Sequence, residues 1–526
     1  MNHFIEYANK CPSRLLSLVN TSEYSESYGS FDKSYWHFKT SDFSNAAKQQ
    51  GILPLAKFYL FNSSENSLFK NDKVLSIIEG SIIFCEKIQH SDGSFDEWYV
   101  NERGWAGPTG YLIYALSETY ILLGDHLRNK AKNSLKKIFN KSKEHLILSD
   151  EKHPLANHIA IAMLAIFNLS LIDSDPRLEK RYQILLNELE QLFNFDEGWS
   201  VEYDGPDPGY QSATVSFLSR IHKHNKCERI EVICMKSLKF LENFCYPDGT
   251  FSEVIGSRHT TNIFYYGIEY WNSLQENPIS GWVKNNFSSQ TLPLDHGDNY
   301  FLYRVHELFD AGQVYKDSSH LPLTYYSKML PEAGIEIIFD SSNYIVLNRY
   351  RGHVFKCFSK NKLVAYDSGI IIKSDNTLFT NLWISKTGSY FKIKEKHFKP
   401  LTFILFRLFF IIFARNRRIA YFLKNSIKQI LIFGKKEAPF LEKNEFKYNG
   451  TTITITKEFF TKNRKNYEIT FGKKFFTRYV PQSSLFNVKK VDHLTEKSQS
   501  FNCTGNTKII IIYDINKGLI NRELIN

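Results

Sequence analysis

The stretch DEGWSVEYDGPDPGYQSATVSFLSRI (Asp196–Ile221) runs from a turn-rich piece, dense in Gly, Pro, acids and aromatics, straight into an apolar-periodic segment. Such a junction reads as a loop that opens a helix. The same junction recurs on both sides. SDGSFDEWYVNERGWAGPTG leads into YLIYALSETYILL, SDEKHPLAN leads into HIAIAMLAIFNLSLI, and YPDGTFSEVIGSRHT opens a fourth segment. The helices restart near Gly110, Asn157, Tyr210 and His259, spaced 47, 53 and 49 residues apart. Three of the loops share an element: DGSF (Asp92–Phe95), EGWS (Glu197–Ser200) and DGTF (Asp248–Phe251).

A beat of this length fits one helical hairpin per unit, in the order outer helix, loop, inner helix. Hairpins of this kind stack into a solenoid or close into an α/α toroid. In a toroid every inner helix starts at the same end, so the loops converge on one cleft. Helix N-termini bring free N–H groups and a positive dipole end to that mouth, which suits an anionic ligand. We assign residues 1–290 to this helical domain, which would hold the substrate cleft.

From about 295 the pattern changes to short β-rich runs, among them IEIIF, NYIVLNRY, HVFKCFS and KIIIIYDI, with turns such as YNGT between them. The expected fold class is α+β and multidomain: an N-terminal incomplete α/α toroid, then an antiparallel β-sandwich over 295–526. The sandwich is interrupted by a basic apolar helical insert at 396–436.

Charge locates that insert. The formal net charge is +11, but the window Lys386–Lys436 holds 13 Lys/Arg against one acid, Glu395, and so carries +12. The remainder sums to −1, which is unlike a uniformly basic nucleic-acid binder. Inside the window PLTFILFRLFFIIFA is followed by RNRR and IAYFLKNSIKQILIF. One reading is an interfacial segment at 400–433 on an anionic membrane surface; the other is a buried core helix with a solvated basic end. No run is apolar enough to be read as a spanning helix, and the N-terminus carries no secretory signal pattern, so a cytoplasmic protein held at the membrane periphery is expected. Seven cysteines without a CxxC exclude a disulfide scaffold and a thiolate zinc site. Aromatics reach 15%, which serves cores and sugar platforms alike, the core reading being the commoner.

The four loops offer the chemistry. They contain Glu97, Trp98, Asn101, Arg103 and Trp105; His153, Asn157 and His158; Trp199, Glu202, Tyr203, Asp204, Asp207, Tyr210 and Gln211; and Glu253, Arg258, His259 and Asn262. Singly, each is more often a packing, capping or surface residue. Convergence on one mouth is what gives them weight.

With its helical first half, DGS/DGT loops, Asn157-His158 at an inner-helix start, the VEYDGPDPGYQS loop and a β-rich second half, the chain resembles polysaccharide lyases of the heparinase II/III and chondroitin AC types. The resemblance implies β-elimination at a uronate, the work of a carbon–oxygen lyase; neither a cofactor nor a metal is expected. Neutralising the uronate carboxylate stabilises the enediolate that forms when the C5 proton is removed, and one Tyr can act as base and then as acid. By that resemblance Asn157 and His158 correspond to the carboxylate-neutralising pair, Tyr210 to the catalytic tyrosine and Glu202 to the orienting acid. Arg258 and His259 are added as catalytic candidates. Trp105, Arg103, Trp199, Gln211 and Glu253 are the substrate-binding candidates. No His-rich metal cluster of the heparinase type is evident, and His353 reads as structural. The expected partner is an acidic polysaccharide or lipid-linked glycan of a capsule or O-antigen pathway. Two alternatives stand beside this: a hydrolase or transferase using the loop carboxylates on the same toroid, and a non-catalytic glycan-binding protein. No DxDD or DDxxD cluster supports a terpene-cyclase toroid, and the zinc ligands of a lanthipeptide cyclase are missing.

Overall fold

The computed structural model describes residues 2–103, 106–149, 155–203, 205–253, 255–258, 260–316, 321–375, 377–381, 389–392, 400–428, 437–461, 466–471 and 499–525. Among them, six inner helices follow one another around a ring: Ile52–Leu60, Ala106–Leu123, Ala156–Ile172, Pro208–His224, Tyr265–Leu274 and Asp298–Val314. Asp298–Val314 packs back against Ile52–Leu60. Outer helices Asp72–Ile88, Asn129–Leu148, Pro176–Gln191, Glu228–Leu241 and Pro278–Asn286 each follow an inner one, and His3–Ala8 packs on Asp298–Val314.

Sequence explains the two layers. Pro176–Gln191 buries one stripe, Leu178, Tyr182, Leu185, Leu186 and Leu189, and leaves its charged face in water. Ala156–Ile172 is small and apolar nearly all round, and is buried nearly all round. Asp175, Asp207 and Asn277 each cap a helix whose first residue is a proline.

The shared loop element has one structural job. Gly93, Gly198 and Gly249 all adopt positive φ, between +83° and +87°. Each docks against the outer helix of the next hairpin. A Cβ at Gly93 would lie 2.1 Å from the Lys141 carbonyl oxygen, and one at Gly198 2.3 Å from that of Lys236. Asp92 and Asp248 close matching turns, accepting hydrogen bonds from Ser94 and Thr250 respectively.

The second half is antiparallel throughout. Strands Lys328–Leu330, Ile335–Phe339, Asn343–Asn348, Val354–Ser359 and Lys362–Asp367 form a five-stranded sheet in chain order. A nine-stranded sheet runs in the order Gln499–Thr504, Asn466–Phe471, Ile370–Ser374, Thr377–Thr380, Ser389–Lys392, Glu437–Tyr448, Thr452–Thr461, Thr507–Asp514, Gly518–Ile525. The smaller sheet is the middle layer. Along Asn343–Asn348, Tyr344 and Val346 pack on the helical domain, while Ile345 and Leu347 enter the core shared with the larger sheet.

The helical domain with its β-sandwich is the fold class the sequence implied. The boundary differs. Asp298–Val314 is an inner helix and the first sandwich strand starts at Lys328, so the helical domain runs past the 290–295 expected. This helix buries both polar and apolar residues, including Arg304, His306 and Glu307, so it shows no one-sided stripe to mark it. The described part of the insert is a helical hairpin, Pro400–Phe413 and Arg417–Lys428.

Candidate active site

Four inner-helix N-terminal ends meet in one cleft. It is lined by Gly107, Pro108 and Tyr111 from the second inner helix, Asn157 and His158 from the third, Tyr210 from the fourth and Tyr303 from the last. Glu97, Trp98 and Tyr203 complete the wall, with Ala47 and Gln50 from the short helix Ala46–Gln49 and its C-cap.

Asn157 is held at both ends. Its backbone N–H donates to Glu202 Oε1 at 2.6 Å and its Nδ2 to Oε2 at 2.7 Å, while its Oδ1 accepts from the Tyr111 hydroxyl at 3.2 Å. One amide hydrogen remains for a ligand. Glu202 is fully buried, and burial pushes its carboxyl up to about 8 against the opposing pull of the two Asn157 donors. His158 sits one residue on, half-buried, beside a glycine. A Cβ at Gly107 would lie 2.9 Å from His158 Nδ1, so the residue at 107 decides whether the ring fits.

Tyr210 lies in the first turn of Pro208–His224. The cap Asp207 accepts from the Tyr210 N–H at 3.1 Å and from Thr260 Oγ1 at 2.6 Å through one oxygen, and from Arg258 Nε at 2.6 Å through the other. The Arg258 guanidinium then covers two rings, 4.1 Å from the centre of Tyr210 and 4.5 Å from that of Tyr203. Its Nη1 and Nη2 are buried and have no hydrogen-bond partner among the described residues. Burial drives the Tyr210 phenol well above its ordinary value; nearby tyrosines add to this and Arg258 opposes it. Tyr203 takes positive φ, +52°, a strained conformation for a side chain of its size, and lines the cleft from there. No group of three or more His, Cys, Asp or Glu suited to a metal occurs among the described residues.

No family model matches the sequence, and no curated protein matches it. Solved structures match its fold. The Streptomyces coelicolor chondroitin AC lyase, solved in complex with chondroitin sulphate, aligns with a TM-score of 0.54 over 99% of this chain and 78% of its own, at 8% identity. A Paenibacillus xanthan lyase aligns at TM-score 0.52 and 10% identity over 99% of this chain and 56% of its own, and heparinase III at 0.51 and 11% over 88% and 72%. The chain has the polysaccharide lyase fold.

On this lyase fold the remaining sequence candidates divide. Asn157, His158 and Tyr210 line the cleft, with Glu202 and Arg258 buried directly behind them. Trp199 does not serve as a sugar platform: it is 5% exposed and its Nε1 donates to Glu197 Oε2 at 2.9 Å. Gln211 is likewise enclosed, accepting from Ser200 N–H and Oγ and donating to Ser237 Oγ. Glu253 pairs with Lys356 of the five-stranded sheet at 2.6 Å, away from the cleft wall. Arg103 is wrapped in its own loop, against Asp92, His90 and Asn101. Polar side chains in tight loops turned inward to satisfy backbone and neighbours, so loop membership alone misplaced these four. Trp105 and His259, with His153 and Asp204, lie outside the described residues. His353 is buried, as a structural histidine would be.

Six lining residues were missed, three of them polar: Gln50, Tyr111 and Tyr303, beside Ala47, Gly107 and Pro108. Tyr111 sits one turn inside a helix recognised from the sequence, on the turn above Gly107. Trp98, 41% exposed, stands on the cleft wall, which Trp199 does not reach.

Proposed function

We propose that the protein is a polysaccharide lyase that cleaves a uronate-containing glycan by β-elimination. The observation that carries this is the meeting of Asn157, His158 and Tyr210 in one cleft, with Arg258 against the Tyr210 ring. Asn157 and His158 bind the uronate carboxylate and draw charge onto it. Tyr210, as phenolate, takes the C5 proton; the freed electron pair forms the C4–C5 double bond; the C4–O4 bond breaks and O4 leaves with the proton Tyr210 has just accepted. Glu202 fixes the rotamer of Asn157. Arg258 favours the phenolate. Trp98 stacks on a neighbouring sugar. The named ligands of similar folds, such as chondroitin sulphate, point to an acidic polysaccharide as substrate.

Against hydrolysis or transfer, Glu97 is the only carboxylate lining the cleft among the described residues, where a glycosidase needs a facing pair. We also place the reaction at a membrane surface, on a lipid-linked or capsule-type glycan, because a basic apolar hairpin adjoins the cleft loop.

The test is incubation with a panel of uronate polysaccharides. Elimination gives a product with ultraviolet absorbance from its new double bond. Saturated ends, or no product with glycan still bound, would overturn this reading.

A further inference from the structure

The hairpin Pro400–Lys428 is docked on one side only. Phe406, Phe410 and Ala414, four residues apart on one helical face, turn toward the first cleft loop, where Phe410 meets the Tyr99 ring at 4.6 Å between centres. Asn101 Nδ2 donates to the Phe410 carbonyl at 3.2 Å. Among the described residues nothing is packed on the other face. Leu401, Leu405, Leu408 and Ile412 are 48–68% exposed, spaced so that they form one stripe, and Phe422 on the second helix is 69% exposed. Arg415 and Arg418 stand exposed at the turn and just beyond it, and Pro400–Lys428 contains no Asp or Glu.

The second helix reaches into the loop. Lys424 pairs with Glu102 Oε1, and both are buried. The other oxygen, Oε2, accepts the N–H groups of Glu97 at 3.1 Å and Trp98 at 2.6 Å. Those two residues are cleft wall. Two side chains, Lys424 and Glu102, therefore join the exposed apolar face to the substrate cleft.

An exposed apolar stripe of this size marks an interaction surface, and its cations with no acids select an anionic partner. The first helix has 14 residues, roughly 21 Å at 1.5 Å each, too short for a core about 30 Å thick, so it suits lying on a bilayer. We propose that an anionic bilayer surface covers this face and, through Lys424 and Glu102, fixes the Glu97–Trp98 wall, so that the cleft is ordered when the protein is membrane-bound. This rests on the membrane-side reading above and adds regulation to it.

The test uses the full chain and no glycan. With phosphatidylglycerol vesicles we expect about tenfold more co-sedimentation than with phosphatidylcholine vesicles. The double variant Leu405→Ser/Ile412→Ser, altered only on the exposed stripe, should fall to the phosphatidylcholine level. Bound vesicles should slow hydrogen exchange at the Glu97 and Trp98 amides. Lys424→Gln should still pellet and lose that slowing. Equal pelleting on both lipids overturns the proposal. So does a concentration-dependent dimer that the double variant dissolves without vesicle binding, which would make a second copy the occupant. Slowing that persists in Lys424→Gln overturns the relay. A protein that passes all of these yet releases no unsaturated product from any uronate polysaccharide fails the lyase reading alone.

Discussion

The guanidinium carbon of Arg258 lies over the Tyr210 ring, 4.1 Å from its centre, and its Nε is tied to Asp207, the residue that caps the Tyr210 helix. Position and charge of the tyrosine are thus set by the same pair. A nearby cation opposes the upward push of burial on the phenol, so the charge that orients Tyr210 also raises the share of it present as phenolate.

Tyr210→Phe removes the proton acceptor and keeps the ring. Turnover should fall roughly a hundred- to ten-thousandfold with glycan binding and thermal stability little changed. Product absorbance and a binding titration check this; retained turnover would remove Tyr210 from the chemistry.

Arg258→Lys keeps a charge beside Asp207 but loses the flat face over the ring. The phenol of Tyr210 should then lie higher, so less phenolate is present at a given pH. The rising limb of kcat/KM should move to higher pH, with activity partly recovered in alkaline buffer. An unshifted limb would mean that Arg258 acts on structure alone.

Glu202 gives a stability signature. Its carboxyl, ordinarily near 4.5, is pushed up to about 8 by burial, and that of Glu269 to about 7 for the same reason. Between those values the unfolded chain has released protons that the folded chain keeps. The stability these two carboxyls contribute is therefore full below about pH 4.5 and is lost as pH rises toward 8, by on the order of a few kcal/mol. Glu202→Gln should flatten that decline in a Tm-against-pH series while costing activity, because its amide presents one acceptor to the two Asn157 donors. A slope identical to the parent's would contradict it.

Gly198→Ala tests the loop docking. Its φ of +85° and the Lys236 carbonyl oxygen 2.3 Å from the added Cβ should together cost about 1–3 kcal/mol. Gly450→Ala, at φ +94° with nothing within 4 Å, carries the conformational strain without the clash and should cost less. Thermal unfolding of the two compares them. Gly107→Ala should instead spare stability and reduce turnover, since its Cβ meets the His158 ring.

The repeat was legible because the same physical demand, a left-handed glycine packed on the next outer helix, leaves the same letters at Asp92–Phe95 and Asp248–Phe251. Asn157, His158 and Tyr210 were legible because each sits in the first turn of a helix whose start was marked. Tyr303 was not, because its helix is buried on all sides and shows no stripe. Trp199 and Gln211 were misplaced because a sequence records that a loop holds an aromatic or an amide, while its direction is decided by partners such as Glu197 and Ser237 that are distant or unremarkable in the chain.

Consider last the strand Asn343–Asn348, which hands alternate side chains to two different neighbours. A slip of one residue there would present Ile345 and Leu347 to the helices and Tyr344 and Val346 to the outer sheet, so a single error in register spoils two interiors at once. Neither half of the molecule can drift in sequence along this seam without the other's consent.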